Sequence, residues 1–260
     1  MHVGYKKKIQ FENLVVEVYP TRALMGKAAS DDVVRVIKEL LKQKKSVRMI
    51  FAAAPSQNEL LYELSLHKEI DWTKITAFHM DEYLGLSNNA PQAFGQFLKD
   101  RLFDKVPFRK VHYLSTEDSD YYKICKDYQE LLQEEPIDIT CMGIGENGHI
   151  AFNDPPYANF YDTVWVKTVI LDNTSRQQQV NDGCFETIDD VPKNAITLTI
   201  PALLSARNMF VVVPGKTKAN AVRNSLLNPV TEDCPASILR KYKNAKLFLD
   251  EDSSSLLNLE

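Results

Sequence analysis

Residues 137–155 constrain this chain more than any other stretch: Ile-Asp-Ile-Thr-Cys-Met-Gly-Ile-Gly-Glu-Asn-Gly-His-Ile-Ala-Phe-Asn-Asp-Pro. They open as a short apolar, β-branched run, the composition of a buried strand. The run breaks into Gly143, Gly145 and Gly148, residues that let the backbone turn sharply and let a ligand approach the main chain. The turn carries Glu146, His149 and Asp154, each able to move a proton or to orient a group that does. A strand end of this kind is where an open α/β fold places its ligand. A strand followed by a loop with incidental polar residues fits the spacing equally well, because glycine turns are common.

Along the rest of the chain, strand-like and helix-like segments alternate. Extended runs are expected at 14–18, 47–52, 74–80, 111–113, 164–171, 195–200, 209–213 and 245–249. Helical spacing covers 22–44, 56–66, 90–102, 121–132, 174–184, 201–204, a segment ending near 226, and 237–241. Ser56 with Glu59 three residues on reads as a capping box. The alternation predicts an α/β fold, a single Rossmann-like domain over 1–260 with a mostly parallel sheet and helices on both faces. The acidic, Ser-rich tail from 250 to 260 is expected to fray.

With 44% hydrophobic and 25% charged residues, the chain has enough apolar side chains for a real core. A net charge of -4 gives no basic field for nucleic acid, so an anionic ligand needs locally placed cations or helix N-termini. Lys6-Lys7-Lys8 is followed by no long apolar run, and no segment reads as membrane-spanning. Four scattered cysteines show no metal-ligand spacing and read as reduced thiols. A cytoplasmic protein is the expectation.

Four strand ends carry unusual residues: Ala53-Ala54-Pro55-Ser56-Gln57, Asp81-Glu82-Tyr83, the glycine turn, and Gly215-Lys216-Thr217-Lys218. In a parallel sheet such ends share one edge and can converge. Asp81 and Glu82 point opposite ways in an extended chain, so one of them can face a given pocket. Asp154 is a candidate partner for His149. Lys218 near a helix start offers a phosphate seat, to which Ser56 could add a hydroxyl. His79 is read as packing, and Gln177-Gln178-Gln179 as a solvated helix face.

Phe78-His79-Met80-Asp81-Glu82-Tyr83, taken with the turn from Gly143 to Pro155, resembles the glucosamine-6-phosphate deaminase (isomerase) family over nearly the whole chain. The related 6-phosphogluconolactonases share the glycine–histidine turn but lack the Met-Asp-Glu-Tyr and Ala-Phe-Asn stretches. The resemblance implies conversion of glucosamine 6-phosphate and water to fructose 6-phosphate and ammonia in amino-sugar catabolism, with no metal or nucleotide cofactor. It implies Asp81 as the base that shuttles a proton between C2 and C1, His149 as the ring-opening acid/base, and Asp154 as its orienting acid. Lys218 and Ser56 would hold the phosphate, with Gln57, Glu82, Gly145, Asn147 and Gly148 around the substrate.

The sequence departs from the family pattern at three places. The phosphate loop, Thr-Gly-Gly-Thr in the family, reads Ala53-Ala54-Pro55-Ser56, and Pro55 has no N–H to donate. The family carboxylate before Gly-His is Asn147 here, with Glu146 as its candidate replacement. Arg176 is the candidate for the family's lid-helix arginine. A sibling enzyme on another sugar or sugar phosphate, including lactonase-like hydrolysis, and a non-catalytic sugar-phosphate sensor are the alternatives. The expected partner is a small sugar phosphate, and a homo-oligomer is left open.

Overall fold

A computed structural model describes residues 4–116, 119–155 and 157–258. The chain begins with β1 (Lys7–Phe11), β2 (Leu14–Tyr19), α1 (Arg22–Gln43), β3 (Val47–Phe51), α2 (Asn58–Leu66), β4 (Ile75–His79), β5 (Asp81–Tyr83) and α3 (Phe94–Leu98). It continues through β6 (Lys110–His112), α4 (Tyr121–Gln133), β7 (Ile139–Met142), β8 (Val166–Ile170), α5 (Asn173–Asn181) and β9 (Asn194–Leu198). It ends with α6 (Ile200–Leu204), β10 (Asn208–Val213), α7 (Ala219–Leu227) and β11 (Ala245–Asp250).

Eight strands form the main sheet in the order β1-β2-β11-β10-β7-β3-β4-β6. All neighbours in it are parallel except the β1–β2 hairpin, which the sequence did not predict. The apolar strands are buried on both faces, as parallel strands are. Met49 and Phe51 of β3 join one core with Met25 of α1 and Leu60 of α2. Ile50, pointing the other way, joins a second core with Leu132 of α4, Leu203 of α6 and Val222 of α7. Helices therefore cover both faces. Buried Arg48 fits among apolar neighbours because its guanidinium donates to the terminal carbonyls of α4, including Leu132 O at 3.1 Å.

From β3 the chain runs on to β4 and β6, and from β7 to β10 and β11, in opposite directions across the sheet. The point of divergence lies between β3 and β7, and a crevice opens there beyond their carboxyl ends.

The strands expected at 164–171 and 195–200 lie outside the main sheet. As β8 and β9 they form a separate antiparallel sheet with β5, in the order β5-β9-β8. Hydrophobic alternation marks a strand but does not say which sheet it joins. The helix expected at 90–102 is shorter: α3 starts at Phe94 because the Glu82 carboxylate accepts the Phe94 and Gly95 N–H groups, and a wider π turn, Lys99–Phe103, follows it.

The Ser56 capping box is absent. A 3₁₀ turn, Pro55–Gln57, precedes α2, and Glu59 pairs with Arg22 Nε at 2.7 Å. The tail is ordered through 258: Asp250 caps the Ser253 N–H at 2.8 Å, and Ser253, Ser254 and Leu257 are buried. Residues 259 and 260, like Pro156 in the loop that follows the glycine turn, lie outside the described residues. Among the described residues, no helix is long and apolar enough to cross a membrane.

Candidate active site

At the crevice, a small cavity gathers Ser56, Asp81, His149, Gln178, Gln179 and Lys218 between walls that include Phe94 and Phe152. Two larger grooves, of about 840 and 810 Å³, lie elsewhere. The first, between α4 and β8, is mostly apolar. In the second the polar groups satisfy one another, with Glu17 2.6 Å from the Tyr19 hydroxyl and 2.8 Å from Lys246 Nζ. The small cavity brings an acid, an imidazole and a cation from separate strand ends to one place.

Asp81 reaches it because the chain leaves the main sheet at Met80 and enters β5, where Asp81 pairs with Thr197 of β9. Burial, and next the charge of Glu82, hold the Asp81 carboxyl well above the usual carboxylate range. Glu82 points away from the cavity. It accepts N–H bonds from Tyr83, Phe94 and Gly95 at 2.8–3.0 Å, so it caps α3 and is not a substrate group. His79 belongs to the core: its Nε2 accepts the Leu114 N–H at 2.7 Å, and burial brings its pKa down to about 4.

The glycine turn holds the imidazole. A Cβ on Gly145 would sit 2.0–2.4 Å from the His149 ring, so glycine is required where the ring lies against the backbone. Gly148 adopts φ +86°, and a Cβ there would also meet Cys234 Sγ at 2.6 Å. It shapes the turn and does not line the cavity. Asn153 fastens the turn to the second sheet, its amide donating to Ile150 O and Leu198 O at 2.9 Å each.

Three acceptors surround His149 Nδ1: Asn147 Oδ1 at 2.7 Å, Ser175 Oγ at 2.9 Å and Asp154 Oδ1 at 3.1 Å. We assign the ring proton to Nδ1 on that basis, which leaves Nε2 as the basic nitrogen. Burial alone would raise the pKa of Asp154. The His149 charge and the bonds from His149, Asn147 and Ser175 outweigh it and hold the carboxyl below its ordinary value.

Asn147 therefore braces the pair, donating to Asp154 Oδ1 at 3.0 Å, and does not line the cavity. Glu146, the candidate replacement for the family carboxylate, is not among the residues that line the cavity. Its N–H donates to Gln178 Oε1 at 2.8 Å, and its side chain accepts from Asn181 at 3.4 Å, outside the cavity lining.

Lys218 ends the 3₁₀ turn Lys216–Lys218, which follows Gly215 at φ +90° and leads into α7. It is buried, and burial lowers its pKa against the opposing pull of Asp182 and Glu146. The turn is fixed by the Gly215 N–H, which donates to the Asp250 carboxylate at 3.0 Å. Ser56 lines the cavity beside it. Gln57 lies behind the loop instead, donating to Val212 O at 3.2 Å.

Arg176 is not a lid cation. Its buried guanidinium donates to Val191 O at 3.0 Å and to Ile188 O, closing the 188–191 segment onto α5. The glutamine run is not a solvated face either: Gln178 and Gln179 are buried and line the cavity, and Gln177 alone of the three is exposed. With Ser175 they form one helical face at i, i+3 and i+4. That spacing was visible in the sequence, but the polarity of the run hid it. Among the described residues, no cluster of three or more His, Cys, Asp or Glu could hold a metal ion, and all four cysteines are free.

The family model for glucosamine-6-phosphate isomerases/6-phosphogluconolactonase matches residues 20–249. A glucosamine-6-phosphate deaminase of Lactobacillus delbrueckii subsp. bulgaricus is 32% identical over 233 residues, covering 90% of this chain and 95% of that one. One from Listeria monocytogenes is 33% identical over 211 residues, 81% and 88% of the two chains. Among solved structures, a monomeric glucosamine-6-phosphate deaminase superposes with a TM-score of 0.84 at 29% identity, over 93% of this chain and 99% of that one. A 6-phosphogluconolactonase from Shewanella baltica reaches a TM-score of 0.75 over 95% and 99% of the two chains, but at 16% identity it shows the fold alone. The sheet, the glycine–histidine turn and these matches agree: the chain belongs to the glucosamine-6-phosphate isomerase/6-phosphogluconolactonase family.

Proposed function

We propose that this chain converts glucosamine 6-phosphate and water to fructose 6-phosphate and ammonia, on a single domain in a reducing cytoplasm. The observation that carries the proposal is the meeting of Asp81 and His149 at one cavity with Lys218. The deaminase names of the relatives support it.

In the mechanism, His149 Nε2 takes the proton of the sugar's O1 hydroxyl and returns one to the ring oxygen, opening the ring. Asp154, Asn147 and Ser175 hold the imidazole in the required tautomer. Ionised Asp81 then removes the C2 proton while a proton of the 2-ammonium passes to O1, giving the enolamine, and delivers the C2 proton to C1. Water attacks the resulting C2 imine and releases ammonia. Burial makes Asp81 a stronger base than an exposed aspartate, and the substrate's own ammonium favours its ionised form. Lys218 and Ser56 take the phosphate, whose binding orients the distant carbons.

The test is incubation with glucosamine 6-phosphate. Equimolar ammonia and fructose 6-phosphate are expected. Hydrolysis of 6-phosphogluconolactone with no ammonia from the amino sugar would overturn the proposal. The Ala53-Ala54-Pro55 loop, which lacks one N–H donor, favours as second reading a sibling enzyme on another substrate, a different amino-sugar phosphate or an unphosphorylated sugar. Stronger thermal stabilisation by another sugar or sugar phosphate than by glucosamine 6-phosphate would identify that case.

A further inference from the structure

The α5 face that lines the cavity also touches the acid–base pair. Ser175 lies one turn before Gln178 and Gln179 and is 1% exposed. Its hydroxyl donates to Asp154 Oδ1 and stands 2.9 Å from His149 Nδ1. Asp154 Oδ1 thus collects Ser175, the Asn147 amide at 3.0 Å and His149 at 3.1 Å, while Asp154 Oδ2 is buried with no partner. A buried carboxylate bonded through one oxygen alone is held in a single orientation by the donors on that oxygen. One of those donors comes from α5 and not from the glycine turn. Gln178 makes the second tie between the same two elements, through the Glu146 N–H at 2.8 Å.

We propose that Ser175 is a positioning residue for the proposed reaction: its hydroxyl seats α5 on the His149–Asp154 pair and fixes the imidazole for ring opening. This rests on His149 being the ring-opening group. Ser175 Oγ is one of the three acceptors around the Nδ1–H and passes a hydrogen bond on to the carboxylate. When Nε2 gains a proton, the imidazolium is then stabilised by a chain that includes α5. The helix that presents Gln179 to the cavity is in this way joined to the group that acts on the ring.

The experiment compares wild type, S175A, S175T, D154N and S175A/D154N. Thermal unfolding checks that each is folded. For S175A, kcat is expected to fall about ten- to a hundredfold, with KM changed less than about twofold. S175T, which keeps the hydroxyl, recovers most of the loss. In the D154N background S175A adds little, because Ser175 acts through that carboxylate. A readout that needs no substrate follows the His149 ring by NMR, assigned with H149Q, and its Nδ1–H signal shifts or is lost to exchange in S175A. If the wild type fails to release ammonia from glucosamine 6-phosphate, the reaction assignment fails and the NMR arm alone decides the role of Ser175. An unchanged Nδ1–H signal overturns the proposal. So does an unchanged kcat in an active enzyme, a loss that S175T does not restore, or full additivity with D154N.

Discussion

At position 81 a carboxyl group is buried beside a second carboxylate, and its pKa is held well above the ordinary range by burial first and by Glu82 second. An acid whose folded pKa is raised stabilises the fold below the ordinary carboxylate pKa and loses that contribution as pH rises through the folded value. Asp81→Asn removes the penalty. We expect its Tm near pH 8 to exceed wild type by roughly 2–4 °C, with the gain vanishing near pH 4, as read by calorimetry. His79 has the opposite sign: a histidine held near 4 favours the fold above about 6.5, and the contribution is lost as pH falls toward 4. Asp81 and Glu82 titrate against it, so the useful quantity is the difference between wild type and His79→Gln. In urea unfolding, that difference should shrink by about 3 kcal/mol between pH 7 and pH 4. Asp81 and His149 were legible as candidates because strand ends and glycine turns are local patterns. That Glu82 faces α3 was not, since an alternating pair of acids does not say which of them meets the pocket.

Helix α5 shows where reading by element stops. Its polarity predicted a surface helix, yet Ser175, Arg176, Gln178 and Gln179 are all buried, each with a different task. Polar burial becomes visible only when partners on other elements are known, and here those are Asp154, Val191 and Glu146. Arg176→Ala should lower stability by about 1–3 kcal/mol in urea unfolding, since the Ile188 and Val191 carbonyls lose their donor, while KM stays within about twofold. A large rise in KM with unchanged stability would mean that Arg176 does reach substrate. Gln179→Ala should do the reverse, raising KM about tenfold with little change in kcat or Tm, because it removes a binding contact from the cavity. The second sheet was hidden for a related reason. β5 has three residues, too few for a periodicity, and only its pairing with β9 takes Asp81 out of the main sheet.

On the scale of the whole molecule, strand order does what no single motif can. Diverging crossovers on either side of β3 and β7 open the crevice, and the parallel direction of the strands brings residues 56, 81, 149 and 218 to one end of the sheet. Alternation of strands and helices was enough to expect this architecture. It could not place the tail, where Asp250 closes β11 onto the turn that carries Lys218. A net charge of -4 gives no global attraction for an anion, so the proposed phosphate seat depends on buried Lys218. The central claim is that one buried carboxylate moves the carbon-bound proton of an amino-sugar phosphate. Ammonia release from glucosamine 6-phosphate by folded wild type and Asp81→Asn, measured side by side, tests it most directly. The variant should be slower by about a thousandfold. Equal rates, or no ammonia from the wild type, would contradict the claim.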